Sequence, residues 1–515
     1  MADSATHNAA DWFVDRHVRD GGANRPAFAD PWRRLTYGDL QDRSGRFATA
    51  LGAAGVGRER RMAMVMLDTV DFPVAFWGAI RAGVLPVPVN TLLPPEQLAY
   101  VLADSRAEAL CVSAPLLPAL TPHMDALPHL KRLIVAEPDG AGGGFEDFVA
   151  SAAAPAAPVP ASPDEVAFWL YSSGSTGGPK GVKHVHSSLR ATADTYARKV
   201  LGIRPDDVVF SAAKLFFAYG LGNAMTFPMS VGASAVLLPD RPAPDAVFGV
   251  MAAYRPTIFG GVPTLYAGLL ADRRIGPGAG SDRLRVCISA GEALPESVGE
   301  RWRQAVGVDI LDGIGSTEML HIFLSNRPDA LRYGTTGLPV PGYEARIVDE
   351  NGADAPDGES GTLLVRGPSA AEGYWNQREK SRRTFQGEWT NTGDTYLREP
   401  DGFFRFCGRA DDMMKVSGIW VSPFEVEAAL IAHEAVLEAA VVGHEDADGL
   451  TKPRAFVVLT ERGMAMDAAV LAEELKQHVQ SRCGRWKYPR WIETVESLPK
   501  TATGKIQRFK LRQGH

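Results

Sequence analysis

The chain has 515 residues, of which 45% are hydrophobic and 22% charged, and its formal net charge is −7. A chain of this length usually divides into two or more domains, and the negative charge argues against a general nucleic-acid surface. No apolar run of about 18 residues and no signal-peptide pattern occurs, so we expect no membrane segment. Four scattered cysteines without metal-ligand spacing are typical of a reducing compartment, which predicts a cytoplasmic protein.

Apolar runs alternate with an amphipathic segment in the first third of the chain, as in a parallel α/β layer. The predicted elements are strands over 62–66, 109–112 and 133–135, a short edge-like strand over 85–89 and a helix over 72–82. Residues 138–163 are rich in Gly, Ala and Pro, so we expect a solvated connector there.

A second α/β set follows, with strands predicted over 208–210, 234–238, 257–259 and 285–289. Turn-rich segments from 337 to 408 indicate a β-barrel-like subdomain, and a compact piece of α+β character follows. The sequence therefore predicts an α/β protein. Its large N-terminal domain has two layered α/β subdomains and a β-barrel-like subdomain, and its C-terminal domain is small.

The segment 171–182 reads YSSGSTGGPKGV and follows an apolar run over 166–170 that is typical of a buried strand. Its glycines allow backbone N–H groups to face a ligand, while the hydroxyls and one lysine supply donors and positive charge. Because Pro179 and Gly181 depart from the Walker A pattern, the segment is a phosphate-binding candidate of another type. The alternative is a flexible surface turn. The candidate residues are Ser172, Ser173, Thr176, Gly177 and Lys180.

This segment resembles the phosphate loop of the adenylate-forming enzymes, which include acyl-CoA synthetases, luciferases and peptide-synthetase adenylation domains. Four further stretches resemble motifs of that family in the expected order, at 312–318, 392–394, 408–418 and 499–505. The resemblance implies an adenylation domain over residues 1–410 and a mobile C-terminal domain over 411–515. It also implies ATP, Mg²⁺ and coenzyme A as ligands.

The motif at 312–318 implies that Thr317 contacts the α-phosphate and that Glu318 is a Mg²⁺ ligand, since Mg²⁺ prefers carboxylate and phosphate oxygens. An alternative interpretation makes residues 316–318 a helix N-terminus, which would also suit a phosphate.

Other nucleotide contacts follow from the same resemblance. Asp394 can accept both ribose hydroxyls, although a plain turn residue is the alternative. Arg409 can reach ribose or phosphate. The adenine contacts implied are Gly291, Glu292, Ala293, Asp312 and Ile314. The family usually has an aromatic residue where this chain has Ile314, so adenine would lose stacking of about 1 kcal/mol.

The last motif implies that Lys505 is the catalytic lysine of adenylation, although most lysines near a C-terminus are simply exposed. Asp411 matches the hinge about which the small domain rotates between the half-reactions. Lys415 and Gly418 then match residues of the thioester-forming step, with a surface charge as the alternative for Lys415. Acetylation of Lys505 by a lysine acetyltransferase would delete its charge.

Residues 215–222 and 321–323 match the positions that shape the acyl pocket in this family. The runs FFAYG at 216–220 and IGSTEMLH at 314–321 resemble the benzoate-CoA ligase branch. Apolar walls with few polar groups suit a benzene ring. The implied substrate-binding residues are Ala218, Tyr219, Ala290, Gly315, His321 and Ile322. A structural role is the alternative for His321 and for Tyr219. We interpret His184 and His186 as residues at a helix start, because no third metal ligand lies near them in the sequence.

These features predict an aryl-CoA ligase that activates benzoate or a close aromatic acid with ATP and transfers it to CoA. One alternative is a standalone adenylation enzyme that loads another small acid on a carrier protein. The end of the chain shortly after Lys505 favours the CoA ligase. The other alternative is an inactive nucleotide-binding homologue, which the full motif set disfavours. A homodimer is one expected assembly, and neither nucleic acid nor membrane is an expected partner.

Overall fold

The computed structural model describes residues 7–174, 177–409, 412–416, 419–446, 450–484, 487–500 and 506–512. Its largest sheet has nine described strands, and the six central strands run parallel. In spatial order the strands are Leu338–Pro339, Ile322–Ser325, Ile310–Gly315, Val286–Ser289, Ile258–Gly261, Val208–Ser211, Ser234–Val236, Pro26–Ala29 and Arg34–Thr36.

A second, parallel sheet has the four strands Leu85–Pro88, Arg61–Val65, Ala109–Ser113 and Arg132–Ala136 in spatial order. Leu85–Pro88 lies at its edge, as the sequence predicts. Two parallel layers of this kind confirm the predicted α/β class.

Two antiparallel sheets complete the larger part of the chain. One has the order Gly373–Tyr374, Gly177–Val185, Val166–Gly174. The other has five strands and occupies the stretch predicted to be barrel-like: Glu344–Val348, Ser360–Arg366, Trp389–Arg398, Phe385–Gln386 and Phe404–Arg409.

The C-terminal part has a core of its own around Val426, Val441 and Leu475. Its described strands are Met414–Val416, Ile419–Val421, Val436–Glu445, Thr451–Leu459 and Trp491–Thr494. This mixture of strands and helices agrees with the predicted α+β character. The boundary at 410/411 remains a prediction, because both residues lie outside the described ranges.

Helices pack on the faces of these sheets. The described α-helices are Arg16–Arg19, Tyr37–Ala53, Asp71–Arg81, Pro95–Asp104, Leu117–Leu120, Gly144–Ala150, His186–Thr192, Ala218–Leu221, Phe227–Val231, Pro244–Tyr254, Pro263–Ala271, Glu296–Val306, Arg378–Thr384, Pro423–Ile431, Glu461–Met464, Ala468–Cys483 and Arg508–Arg512. Short π-helical segments span Asp11–Asp15, Ala193–Ala197 and Gly222–Thr226, and 3₁₀ segments span Ala114–Leu116, Thr121–Ala126 and Pro277–Gly280. Within the described ranges, no helix is long and apolar enough to cross a membrane.

The helix Asp71–Arg81 is buried along its whole length. It packs against Tyr37–Ala53, and Gly78 allows this close approach, since a Cβ there would lie 2.8 Å from the Phe47 ring. At its C-terminal end, Arg81 donates to the buried carboxylate of Asp15, with one N–O distance of 3.0 Å. The predicted helix over 72–82 is therefore confirmed within one residue.

The prediction of a solvated connector over 138–163 is wrong in its first half. Residues Gly144–Ala150 form a helix whose Phe145, Phe148 and Val149 are buried. Both phenylalanine rings pack against Phe47, at centroid distances of 5.4 and 5.2 Å. The high Gly and Ala content of the segment concealed three apolar residues on one helical face.

Candidate functional site

The predicted site residues gather where the parallel strands of the nine-stranded sheet end. The segments after Ser211, Gly261, Ser289 and Gly315 all leave the carboxyl edge of this sheet. Ligands of open α/β sheets bind outside that edge. This topology therefore brings together motifs that lie about 100 residues apart in the sequence.

A tight turn from Gly315 to Ile322 forms the centre of the site. Gly315 and Ile322 are paired across the antiparallel strands that the turn connects. A Cβ at Gly315 would lie 2.5 Å from the carbonyl oxygen of His321, so only glycine fits there. Ser316 Oγ accepts from the backbone N–H of Met319 at 3.2 Å. The interpretation of residues 316–318 as a helix start is therefore wrong, because a hydroxyl-capped turn reverses the chain instead.

Thr317 is held by a buried histidine. The Nε2–H of His184 donates to the carbonyl oxygen of Thr317 at 2.8 Å. Burial lowers the pKa of His184 to about 4, so the ring is neutral near pH 7. Its face stacks on Phe168 at a centroid distance of 5.2 Å. His184 thus fixes the backbone of a predicted catalytic residue.

The sequence interpretation placed both histidines at a helix start. This is correct only for His186, the first residue of His186–Thr192. His184 lies inside the strand Gly177–Val185. The role of His184 toward Thr317 had no sequence signal.

Lys180 and Glu318 meet at the phosphate side of the turn. Lys180 Nζ lies 3.9 Å from Glu318 Oε1, and both side chains are largely buried. Tyr374 completes the group, because its hydroxyl donates to Glu318 Oε1 at 2.7 Å and its ring lies 4.5 Å from Lys180 Nζ. Burial lowers the pKa of Lys180, while Glu318 raises it. Sequence analysis missed Tyr374, although it sits in a Gly-Tyr-Trp run.

The predicted phosphate segment is a strand-to-strand connection. Val166–Gly174 pairs with Gly177–Val185, and Ser172 lies opposite Lys180. The Ser172 hydroxyl is buried without a described partner. Thr176 lies outside the described residues, as do the side-chain surroundings of Ser173 and Gly177. The predicted strand before the segment is confirmed, and the pairing places the Ser172 hydroxyl beside Lys180.

Asp394 and Arg409 come together across two strands. They are direct cross-strand partners, and Arg409 Nη1 donates to Asp394 Oδ1 at 2.9 Å. Asp394 is buried, whereas about half of the Arg409 side chain is exposed. The backbone N–H of Asp394 also donates to Thr392 Oγ1 at 3.2 Å. A carboxylate fixed in this way presents a preorganised acceptor.

Asp312 anchors the segment predicted to contact adenine. Its Oδ2 accepts from the backbone N–H of Leu294 at 3.3 Å. That residue directly follows Gly291, Glu292 and Ala293, which form a loop after the strand Val286–Ser289. Burial raises the pKa of Asp312 to about 8. Ile314 lies two residues further along the same strand and is half-buried.

The predicted acyl-pocket residues lie on the other side of the turn. His321 is buried, and its ring packs against Phe227 and Tyr219 at centroid distances of 4.4 and 5.8 Å. The Tyr219 hydroxyl lies 3.0 Å from the carbonyl oxygens of both Gly261 and Ile288. It thereby links the ends of the neighbouring strands Ile258–Gly261 and Val286–Ser289, so Tyr219 has a structural role. Ala218 begins a short helix and is half-buried, while Ala290 and Ile322 are buried.

His321 fits only because Gly222 lies beside it. A Cβ at Gly222 would come within 2.4 Å of the imidazole Cδ2. Burial lowers the pKa of His321 to about 3, so the ring is neutral, and its Nε2–H donates to the Tyr219 carbonyl at 3.3 Å. Its Nδ1 has no partner among the described residues and is left as an acceptor. Gly222 belongs to the stretch 215–222 that was expected to shape the acyl pocket, but its contact with His321 was not predicted.

The C-terminal predictions are mostly beyond the described residues. Asp411, Gly418 and Lys505 lie outside the described ranges. The backbone of Lys415 belongs to the strand Met414–Val416, but its side chain is not described. Their roles remain predictions.

The oxygen donors near Glu318 suit a metal ion that is also bound by a ligand. Within the described residues, no three His, Cys, Asp or Glu side chains form a metal-binding group. Mg²⁺ commonly takes only one or two carboxylates together with phosphate oxygens. The described contacts of Glu318 all use Oε1, which leaves Oε2 as an oxygen ligand. This carboxylate therefore fits a phosphate-bound Mg²⁺.

The neutral state of His184 predicts a pH dependence of stability. Its pKa is about 4 in the folded protein and 6.5 in a free side chain, so between these values only the unfolded chain binds the proton. The contribution of neutral His184 to the free energy of unfolding is complete above pH 6.5 and is lost as the pH falls toward 4. His184→Gln keeps an N–H donor but does not titrate. Denaturant unfolding at several pH values should show a smaller loss of stability upon acidification in this variant.

Exposed His129 supplies the matched control. His129→Gln should retain the wild-type slope of stability against pH. An unchanged slope in His184→Gln would contradict a buried neutral imidazole at this position.

Comparison with known proteins assigns the chain to a family. Residues 14–375 match the AMP-binding enzyme family, and residues 425–505 match the AMP-binding enzyme C-terminal domain. The chain is 53% identical to a 4-hydroxybenzoate–CoA/benzoate–CoA ligase of Rhodopseudomonas palustris, over 98% of this chain and 94% of the relative. It is also 53% identical to a benzoate–CoA ligase of Thauera aromatica, over 98% and 96% of the two chains.

A solved benzoate CoA ligase from Burkholderia xenovorans LB400 superposes with a TM-score of 0.92 at 52% identity, covering 98% of this chain and 99% of the other. The resemblance inferred from five short motifs thus extends over nearly the whole chain. The protein belongs to the AMP-binding enzyme family.

Proposed function

We propose that the protein is an aryl-CoA ligase of the AMP-forming type, with benzoate or a close aromatic acid as its substrate. The observation that supports this most is the turn from Gly315 to Ile322. One end of the turn contacts the predicted phosphate-binding residues, and the other end borders the predicted acyl pocket. Full-length identity to two relatives named benzoate–CoA ligases supports the choice of acid.

In the first half-reaction, the benzoate carboxylate attacks the α-phosphorus of ATP and the bond to pyrophosphate breaks. Negative charge builds on the phosphoryl oxygens, so preorganised donors lower the barrier. Lys180, Ser172 and Thr317 supply these donors in the proposal, together with Ser173, Thr176 and Gly177 of the same segment. Glu318 would hold Mg²⁺, which supplies positive charge to the phosphates when bound.

The remaining nucleotide contacts are proposed from the same geometry. Asp394, oriented by Arg409, accepts from the ribose hydroxyls. The loop of Gly291, Glu292 and Ala293 covers adenine, and Asp312 holds this loop through its contact with Leu294. Ile314 offers adenine an aliphatic face.

The acyl pocket is proposed to be short because small residues meet aromatic ones. Ala218 and Ala290 leave a slot, and Tyr219 and Ile322 border it. The free Nδ1 of neutral His321 can accept one hydrogen bond but cannot carry a charge near pH 7. A ring without a charged substituent fits this environment better than a long chain or an amino acid.

The second half-reaction needs a different arrangement of the C-terminal domain. The thiol of CoA attacks the carbonyl of benzoyl-adenylate, and AMP leaves. We propose that rotation about Asp411 withdraws Lys505 and brings Lys415 and Gly418 to the site, with Gly418 along the pantetheine arm. Cytoplasmic location, a homodimer and acetylation of Lys505 by an acetyltransferase are proposals that rest on the sequence alone.

A panel of acids tests the substrate class. Pyrophosphate release should be fast with benzoate and slow with long-chain fatty acids or amino acids, and a thioester should form only when CoA is present. Pyrophosphate release without any thioester, even with CoA, would favour the alternative enzyme that loads a carrier protein.

The size of the acyl pocket can be tested at Ala218, because Gly315 tolerates no Cβ for reasons of backbone contact. Ala218→Leu should cost roughly 1–3 kcal/mol of benzoate binding by overfilling the slot. Steady-state kinetics should show a raised KM for benzoate and a nearly unchanged KM for ATP. An unchanged KM for benzoate would remove Ala218 from the pocket.

The half-reactions can be separated at Lys505. Lys505→Ala removes one preorganised charge from adenylation, so its rate should fall on the order of 10²–10³-fold. Thioester formation from supplied benzoyl-adenylate should be largely retained. The matched control is Lys510→Ala, because Lys510 is an exposed lysine of the helix Arg508–Arg512. Equal loss of both steps in Lys505→Ala would contradict the two-conformation proposal.

A further inference from the structure

A basic cavity lies at the edge of the nine-stranded sheet opposite the candidate site. Pro205 precedes the strand Val208–Ser211, and Ser230 precedes Ser234–Val236, so both lie at the amino ends of these strands. The candidate site occupies the carboxyl ends. This cavity is therefore separated from the predicted catalytic residues by the length of the strands.

The cavity has a volume of about 420 Å³. Three arginines line it, and among its described lining residues Asp20 is the one acid. His17 is the remaining titratable residue, and burial lowers its pKa to about 4, so it is neutral near pH 7. The complete lining is Arg16, His17, Asp20, Gly21, Gly22, Arg25, Arg198, Pro205, Ser230 and Val231.

Two of the guanidinium groups converge on one acceptor. Arg16 and Arg198 both donate to the carbonyl oxygen of Ser230, at 2.9 and 3.4 Å. This carbonyl holds two like charges close together without neutralising either. Arg25 donates to the carbonyl of Pro205 at 3.0 Å, which fixes a third charge in the cavity lining.

The neighbouring acids compensate this charge only in part. Asp194 lies 3.4 Å from Arg198, but it also pairs with Arg190 at 3.1 Å, and both pairs are exposed to solvent. Such exposed ion pairs contribute little to stability.

Arg16 has donors that no described residue uses. It lies over the ring of Trp12 at 4.1 Å, and its buried Nε has no described partner. A structural role in capping the carbonyl of Ser230 uses only one of the five N–H donors of each guanidinium.

Gly232 leaves the space that two of the lining side chains occupy. A Cβ at Gly232 would lie 2.9 Å from Arg25 Nη1 and 3.0 Å from His17 Nδ1. Gly232 also has a φ of 73°, which favours glycine. Backbone carbonyls thus hold all three arginines in place, and only Arg198 has an additional, exposed carboxylate partner among the described residues.

We propose that this cavity binds a phosphate-bearing small anion, whose oxygens are contacted by Arg16, Arg25 and Arg198. Guanidinium groups match phosphate oxygens in pairs and remain charged at all physiological pH values. The volume accommodates a single phosphate or a diphosphate. This site is independent of the proposed catalytic function, because none of its residues belongs to the adenylation site.

Isothermal titration with orthophosphate, and separately with pyrophosphate, tests the proposal at constant ionic strength. The variant Arg16→Gln/Arg198→Gln should bind the anion at least about tenfold more weakly than the wild-type protein. Arg19→Gln is the matched control, because Arg19 lies on the same helix but pairs with Asp11 outside the cavity. It should bind as the wild type does.

Pyrophosphate is expected to bind at the proposed phosphate segment as well. Lys180→Ala, which weakens that second site, is therefore titrated in parallel. The binding event assigned to the cavity should keep its affinity in Lys180→Ala and weaken at least about tenfold in the double variant. A preference for pyrophosphate over orthophosphate would identify a diphosphate ligand, and equal affinities would identify a single phosphate.

Equal affinity of the double variant and the wild type would overturn the proposal, as would equal heats from acetate and phosphate. Circular dichroism checks the fold of the double variant. If that variant does not fold, Arg25→Gln applies the same tenfold criterion by removing only the third charge.

Discussion

The close approach of two backbone segments at Gly315 is the constraint on which the site depends. The carbonyl of His321 occupies the space that any side chain at Gly315 would need. The turn is therefore too tight to be a helix, and it reverses the chain within six residues between paired positions. As a result, Thr317 and Glu318 lie beside the predicted phosphate segment, while His321 packs against Tyr219 among the residues predicted to line the acyl pocket. One short turn places both halves of the proposed reaction in contact.

Buried neutral and charged side chains hold this turn in place. His184 binds the Thr317 carbonyl from below, and Tyr374 binds the Glu318 carboxylate from the side. A hydrogen bond is stronger in such surroundings, and a missing partner costs more. The Lys180–Glu318 pair is held in largely buried surroundings as well, and a fixed cation of this kind would stabilise developing phosphoryl charge in the proposed reaction.

Much of the fold was predictable because the spacing of apolar residues along the chain indicates which segments form buried strands and helices. The parallel strands and the buried helix Asp71–Arg81 follow from apolar runs of the right length. The helix Gly144–Ala150 was not predicted, because its composition resembles a linker although its phenylalanines fill a gap beside Phe47.

The site was predictable only where motifs recur within the family. Asp394 and Arg409 were expected to share a ligand, but their direct pairing depends on strand register, which the sequence does not reveal. Tyr374, His184 and Gly222 act through contacts with residues more than 55 positions away in the chain. No local pattern encodes such contacts, so only the folded structure could identify these residues.

The central claim is that one site activates an aromatic acid and delivers it to CoA. The most direct measurement is the identification and counting of the products formed from benzoate, ATP and CoA, by liquid chromatography with mass spectrometry. The account predicts benzoyl-CoA, AMP and pyrophosphate in equal amounts. ADP and orthophosphate as products, or AMP and pyrophosphate without any benzoyl-CoA, would contradict it.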